Sequence, residues 1–249
     1  MRLMRSIHHF ACTGGTLISR CVGADPAVQL LSEVDPLSDM GTKLRFAPTD
    51  VVKLAQYSSH PPDRDTILDV FFAGLDTLQH RADQTGAQVV IRAHDHSKYC
   101  NGPAVADRPS VRDILARHYA LKSLVTVRHP IDSYLSLQKN GWLHFEPTSF
   151  EEYCRRYLQF LQDHDDLIII RYEDFIRDPD QCMQQICAEL DLPFNPGYRD
   201  GMKAITLSGD SGRKGDTIAP RDRLWVPKLL QREFDQSLSL QQICLKLKY

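Results

Sequence analysis

Four short stretches of this 249-residue chain carry residue types that could hold and transfer an anionic group. The first is Phe10–Arg20, FACTGGTLISR, with Thr13-Gly14-Gly15-Thr16 at its centre after an apolar start. Adjacent glycines let a backbone turn sharply and approach a ligand closely. A helix starting near Thr16 would leave its first N–H groups without intrahelical partners, and its dipole would favour an anion there. The same residues would also serve as a tight strand-to-helix turn with a polar cap, and a glycine signature alone does not separate the two. Cys12 lies in this loop, where a helix N-terminus would lower a thiol's pKa. A small residue filling a tight turn is the simpler reading of it.

The second stretch is His94-Asp95-His96. The third is Arg128-His129-Pro130, with Ser136 eight residues after the arginine. An arginine fork and a hydroxyl can hold a phosphate through charge-assisted hydrogen bonds, each worth about 1.5–3 kcal/mol. Arg128 could equally cap a carbonyl or pair with Asp132. The fourth is Ser211-Gly212-Arg213-Lys214-Gly215-Asp216. Its Arg-Lys pair between glycines could fold over an anion or form a solvated turn.

The elements needed to position these stretches can be read from hydrophobic periodicity. Short apolar runs at 4–10, 87–93, 121–127 and 167–172 predict strands, and each ends at polar residues. A helical pattern follows the first run from Thr16 to Cys21. Residues 24–62 contain Pro26, Pro36, Pro48, Pro61 and Pro62 and predict short helices joined by loops. Helices are expected over 65–84, over 110–119 with Ser110 and Asp113 as a capping box, and from Pro130 to about Lys139. Further helices are expected over 148–164 with Thr148 and Glu151 in capping-box spacing, over 179–190, and over 224–249 with a break near Ser237. Residues 200–224 predict a polar, mobile loop. Buried strands alternating with helices imply an α/β fold, a parallel sheet covered on both faces, in a single domain over 1–249. Ligands in such sheets bind beyond the carboxyl ends of the strands, where the polar clusters fall.

Bulk properties narrow the function classes. Thirty basic and 32 acidic residues give a net charge of −2, so no global basic excess points to nucleic acid or an anionic membrane. Seven scattered cysteines show no C-x-x-C pair and no zinc spacing, which implies reduced thiols and no metal. No apolar run reaches the ~18 residues of a membrane span, and none near the start suits a signal peptide. A cytoplasmic location is expected.

Taken in order, the stretches resemble the sulfotransferases that use 3′-phosphoadenosine 5′-phosphosulfate (PAPS). The resemblance rests on the N-terminal glycine loop, on VRHPIDSYLS with its serine eight residues after the arginine, on RYEDFIRDP followed by ELDLP, and on SGRKGD. The LQQICLKLKY ending is also similar to the last helix of bacterial members. The resemblance implies a P-loop-like three-layer αβα fold. It further implies that Thr13, Gly14, Gly15 and Thr16 hold the 5′-phosphosulfate. Arg128 and Ser136 would hold the 3′-phosphate, joined by Arg213, Lys214 and Gly215, with Tyr172 near the adenine. Adenosine 3′,5′-bisphosphate (PAP) would be the product. His94 matches the position of the family's usual catalytic histidine, and His96 is the next candidate; His8 and His9 could contact donor or acceptor. An imidazole base suits proton removal near neutral pH. Where the family usually keeps a Lys or Arg this chain has Cys12, and Arg20, Arg92 and Lys98 are the cations that could supply the charge. Trp142 and Trp225 are candidates for stacking on adenine by residue type.

Two other readings compete. A P-loop nucleotide kinase would need a lysine after the glycines, and there is none. A nucleotide-binding protein without chemistry would fit Cys12 in place of the cation. The acceptor is expected to be a small molecule, with polar loops at 24–62 and 97–110 leaning toward a carbohydrate.

Overall fold

Apolar runs buried on both faces build the centre of the molecule. The computed structural model describes residues 1–40, 49–207, 217–220 and 222–249. In chain order the strands are β1 (Leu3–His9), β2 (Val28–Val34), β3 (Gln88–Ala93), β4 (Asn101–Gly102), β5 (Ala120–Val127), β6 (His144–Phe145) and β7 (Ile168–Arg171). Five of them form one parallel sheet in the order β2-β3-β1-β5-β7. β4 and β6 pair with each other as a separate two-residue bridge.

The helices are α1 (Gly15–Val22), α2 (Val51–Gln56), α3 (Arg64–Thr85), α4 (His96–Tyr99), α5 (Val111–Ala116), α6 (Pro130–Lys139) and α7 (Phe150–Asp163). They continue with α8 (Tyr172–Arg177), α9 (Pro179–Leu190), α10 (Tyr198–Gly201), α11 (Lys228–Gln236) and α12 (Leu238–Leu247). Alternation along the strands sends side chains to two helical layers. Ile7, Val90 and Leu124 pack with Leu17 and Ile18 of α1 and with Met183 and Ile186 of α9. On the other face, Met4, Val89 and Ile91 meet Leu75 of α3 and Leu115 of α5, while Val125 and Val127 meet Tyr157 and Phe160 of α7. Each fully buried residue of this kind contributes about 1.5–3 kcal/mol. This is the three-layer αβα arrangement.

Several local expectations need correction. Residues 24–62 hold β2, an edge strand, as well as the short helix α2. Its sequence, VQLLSEV, alternates weakly, and the surrounding prolines mask it. The cap of α7 is Ser149, whose side chain accepts from the Glu152 N–H, so neither Thr148 nor Glu151 forms the expected box. The last strand stops at Arg171, and Tyr172 begins α8 instead of ending β7. The capping box at Ser110 and Asp113 is present, but α5 ends at Ala116. Within 200–224, α10 and a 3-10 turn over Met202–Ala204 replace part of the expected loop. Ser237 does break the C-terminal helix: it caps α12, its side chain accepting from Leu240. Among the described residues no helix is long and apolar enough to cross a membrane. All seven cysteines are free.

Candidate active site

The loop after β1 is anchored from below. Phe10 is fully buried and stacks on Tyr157, ring centroids 4.5 Å apart and planes 9° from parallel. The Thr13 hydroxyl points inward and donates to the carbonyls of Phe10 (2.7 Å) and Thr126 (3.3 Å), tying the loop to the end of β5. Cys12 and Gly14 both adopt left-handed backbone, with φ of 59° and 86°. Gly14 is the N-cap of α1 and no side chain caps that helix, so its first N–H groups face outward without an intrahelical partner.

Both glycines are required by their neighbours. A Cβ on Gly14 would lie 2.2 Å from Cδ2 of Tyr172, and one on Gly15 would lie 2.8 Å from the His9 ring. The loop is thus clasped between an aromatic ring from α8 and an imidazole from β1. Cys12 does not gain an activated thiol from the helix start. Burial pushes it up to about 11, against the opposing pull of Arg128 and a hydrogen bond with Asn140.

A cavity of about 560 Å³ opens over this loop. Its wall includes Thr13, Gly14, Gly15, Thr16, Arg128, Ser136, Tyr172 and His94, which is every predicted site residue that the structure describes. Arg213, Lys214 and Gly215 lie outside the described residues. Trp142 also lines the cavity, whereas Trp225 is 81% exposed and does not.

One end of the cavity is cationic. The Arg128 backbone is fixed by the Tyr157 hydroxyl, which accepts from its N–H (3.1 Å) and donates to its carbonyl (3.0 Å). Its guanidinium stands 5.0 Å from the centroid of the Tyr172 ring and donates to the Ser136 hydroxyl at 3.4 Å. Asp132 does not pair with Arg128. It takes Arg223 instead, through two hydrogen bonds of 2.8 and 3.1 Å. Lys139 and Asn140, at the end of α6, complete this wall. Lys139 follows Ser136 at helical spacing, a signal the sequence did carry.

The other end is built by the ends of β2 and β3. His94 is 24% exposed, and its Nε2 lies 3.3 Å from Oε2 of Glu33. Glu33 has a φ of 61°, in the left-handed region, where the β2–β3 register shifts between Leu31 and Val34. That kink turns an edge-strand carboxylate into the cavity. Burial raises the Glu33 pKa, opposed by Arg92 and His94. Arg92 is nearly buried and joins both ends. It donates to Glu33 at 2.7 Å, to the Ser32 hydroxyl at 2.8 Å, to Nε2 of His9 at 3.1 Å and to the Thr16 hydroxyl at 3.0 Å. His9 accepts that bond as a neutral ring, its pKa well below the ordinary value through burial and the Arg92 charge. Burial, with His94 and His144 nearby, pushes His96 down to about 3.

Of the three cations that could stand in at Cys12, only Arg92 lines the cavity. Arg20 turns away to donate twice to the Met202 carbonyl, at 3.1 and 2.8 Å. Lys98 donates to the carbonyls of Ala106 (3.0 Å) and Arg108 (2.5 Å). Glu33 and His144 line the cavity without having been singled out from sequence. Glu33 lay hidden in the unrecognised strand.

The sequence model of the sulfotransferase family matches residues 10–196. No curated protein matches the chain. Among solved structures, the sulfotransferase domain from the curacin biosynthetic pathway aligns over 100% of this chain and 98% of its own, with a TM-score of 0.61 at 15% identity. The sulfotransferase domain of the Synechococcus PCC 7002 olefin synthase covers 100% of this chain and 95% of its own, with a TM-score of 0.52 at 17% identity. A mouse sulfotransferase complexed with PAP covers 99% and 88%, with a TM-score of 0.50 at 12% identity. At these identities the likeness is one of fold.

Proposed function

The chain belongs to the sulfotransferase family, and from that premise we propose that it moves a sulfuryl group from PAPS to a hydroxyl or amine of a small-molecule acceptor, a carbohydrate being the favoured class. One observation carries the reading: a single cavity holds the uncapped start of α1, the Arg128–Ser136 pair, Tyr172 and His94 together. The fit to the donor is supported by the glycine loop, whose uncapped helix start lines the cavity beside Arg128.

PAPS, when bound, supplies an activated sulfuryl group whose leaving group is the 5′-phosphate of PAP. In this reading the N–H groups of Gly15 and Thr16 receive the phosphosulfate, and Arg128 and Ser136 receive the 3′-phosphate, with Arg213, Lys214 and Gly215 closing on it. The Thr13 hydroxyl is already used in holding the loop, so its part is to shape the backbone. Tyr172 supports the loop and the Arg128 guanidinium beside the adenine end.

His94 removes the acceptor's proton. The Glu33 carboxylate beside Nε2 keeps that nitrogen as the N–H side, which leaves the lone pair on Nδ1 to take up the proton. The imidazolium that forms is stabilised by the same carboxylate. His96, with its depressed pKa, is a weaker base and its part is to line the acceptor end. Arg92, ion-paired with Glu33 on one side, donates to Thr16 on the other, and from there would supply the cationic donor that Cys12 does not. A preorganised donor aimed at developing charge is worth about 10²–10³ in rate. Arg92→Gln is therefore expected to lower kcat by about that factor, while Arg92→Lys keeps part of it. Full activity in Arg92→Gln would remove the arginine from this role.

The donor assignment is tested by calorimetry with PAP and with ATP–Mg²⁺. PAP should bind far more tightly, and equal or reversed preference would overturn the reading. Cys12 in place of the cation favours one second reading, a nucleotide-binding protein without chemistry. Radiolabelled sulfate transfer from PAPS to pooled sugar, lipid and phenol acceptors separates the two: labelled product supports the enzyme, and tight PAP binding without product supports the binding protein.

A further inference from the structure

Behind the cavity wall lies a group of polar side chains that the proposed reaction does not use. His8 of β1, Asp95 just after β3 and His164 just after α7 are buried together, at 0%, 1% and 1% exposure. One ligand-type atom from each lies within 4.8 Å of the other two. His8 Nδ1 stands 3.3 Å from Asp95 Oδ2. His8 Nδ1 has that carboxylate as its contact and no other, while His164 Nε2 and Asp95 Oδ1 are buried with no hydrogen bond. Buried polar atoms are rarely left without a partner, and His164 Nε2 beside the His8–Asp95 pair calls for one.

The outer side of each ring is already engaged. His164 Nδ1 lies 2.9 Å from the Phe160 carbonyl, which can only accept, so the proton sits on Nδ1 and Nε2 presents a bare lone pair. His8 Nε2 lies 3.1 Å from the Ser6 hydroxyl, itself 2.7 Å from that of Ser123. Histidines bound to metals are oriented in this manner, one nitrogen on the ion and the other donating to a fixed oxygen.

We propose that His8, Asp95 and His164 form a binding site for one divalent transition-metal cation, of which zinc is the best match. Two imidazole nitrogens and a carboxylate are a donor set that suits Zn²⁺ or Co²⁺ and does not suit Mg²⁺ or Ca²⁺. Zinc bonds of about 2.0–2.2 Å require the three side chains to draw together, with His164 closing on the other two. The residues come from positions 8, 95 and 164, so no sequence spacing announces them. The site is separate from the cavity but braces it, because His9 and His94, the chain neighbours of His8 and Asp95, both face the cavity.

The test uses the full chain, stripped with EDTA and titrated with Co²⁺ and then Zn²⁺. The expected result is one Co²⁺ per chain with visible ligand-field absorption and no near-ultraviolet thiolate band, displaced by Zn²⁺, and a thermal midpoint raised by Zn²⁺. His164→Gln should weaken metal binding at least tenfold and abolish the thermal shift. If that variant fails to fold by circular dichroism, His8→Gln is read in the same way. A thiolate band would move the ion to the cysteines, and unchanged binding in a folded variant would move it elsewhere; either overturns the proposal. So does the absence of stoichiometric binding in the unaltered protein, which would leave His8 and Asp95 as a plain buried ion pair.

Discussion

Replacing His94 by alanine is expected to slow sulfuryl transfer by about 10²–10⁴-fold while leaving PAP binding at full strength. The size follows from general-base catalysis, and the selectivity from geometry. His94 stands at the β2–β3 end of the cavity with Glu33, while the Arg128–Ser136 pair forms the opposite end. Glu33→Gln should lower the rate by less, because it leaves the imidazole in place but removes the carboxylate that orients it. Single-turnover rates with PAPS and calorimetry with PAP read the two effects separately. A fully active His94→Ala enzyme would move the base to another residue of the cavity, and loss of PAP binding would mean that the histidine belongs to the donor side.

Gly14→Ala is the second substitution with a large expected effect, and here the loss falls on both stability and donor binding. The new methyl group would sit 2.2 Å from Tyr172 Cδ2 and 2.8 Å from Cε2, so the ring must move. The left-handed backbone at φ 86° adds its own cost of about 1–2 kcal/mol for a residue with a Cβ. Overpacking adds about 1–3 kcal/mol. Together these predict a thermal midpoint lowered by roughly 5–15 °C for a domain of this size. Displacing Tyr172 also removes the face beneath the Arg128 guanidinium, so PAP affinity should fall at least tenfold. The double variant Gly14→Ala/Tyr172→Leu should regain part of the stability, since it relieves the contact and keeps only the backbone cost. Unchanged midpoint and affinity in the single variant would refute the packing argument.

The glycine-loop and Arg128 end of the cavity was legible in the sequence because it is written in continuous stretches. The glycine loop, the arginine with its serine eight residues on, and the strand leading into Tyr172 each keep their chemistry within about ten residues. Local geometry then fixes how those residues present themselves. The acceptor side was less legible. Glu33 sits on an edge strand among prolines, and its direction depends on a register shift that no periodicity encodes. Arg92 reads as one polar residue inside an apolar run, and its reach to both Glu33 and Thr16 follows only once β3 lies between β2 and β1. The His8–Asp95–His164 group was invisible for the same reason: three elements distant in sequence converge on it. For Cys12 the simpler of its two readings holds, since burial raises the thiol where a helix start alone would lower it.

The kink at Glu33 also bears on how such a protein can diverge. β2 is the edge of the sheet and pairs only with β3, whereas β1 and β5, which carry the glycine loop and the arginine, are interior strands. Insertions or altered registers in β2 can therefore accumulate without re-pairing the centre. A lineage built on this chain could reshape the Glu33 end of the cavity while inheriting the glycine loop and Arg128 unaltered, and separate pools of β2 variants and loop variants should differ sharply in how many members still fold.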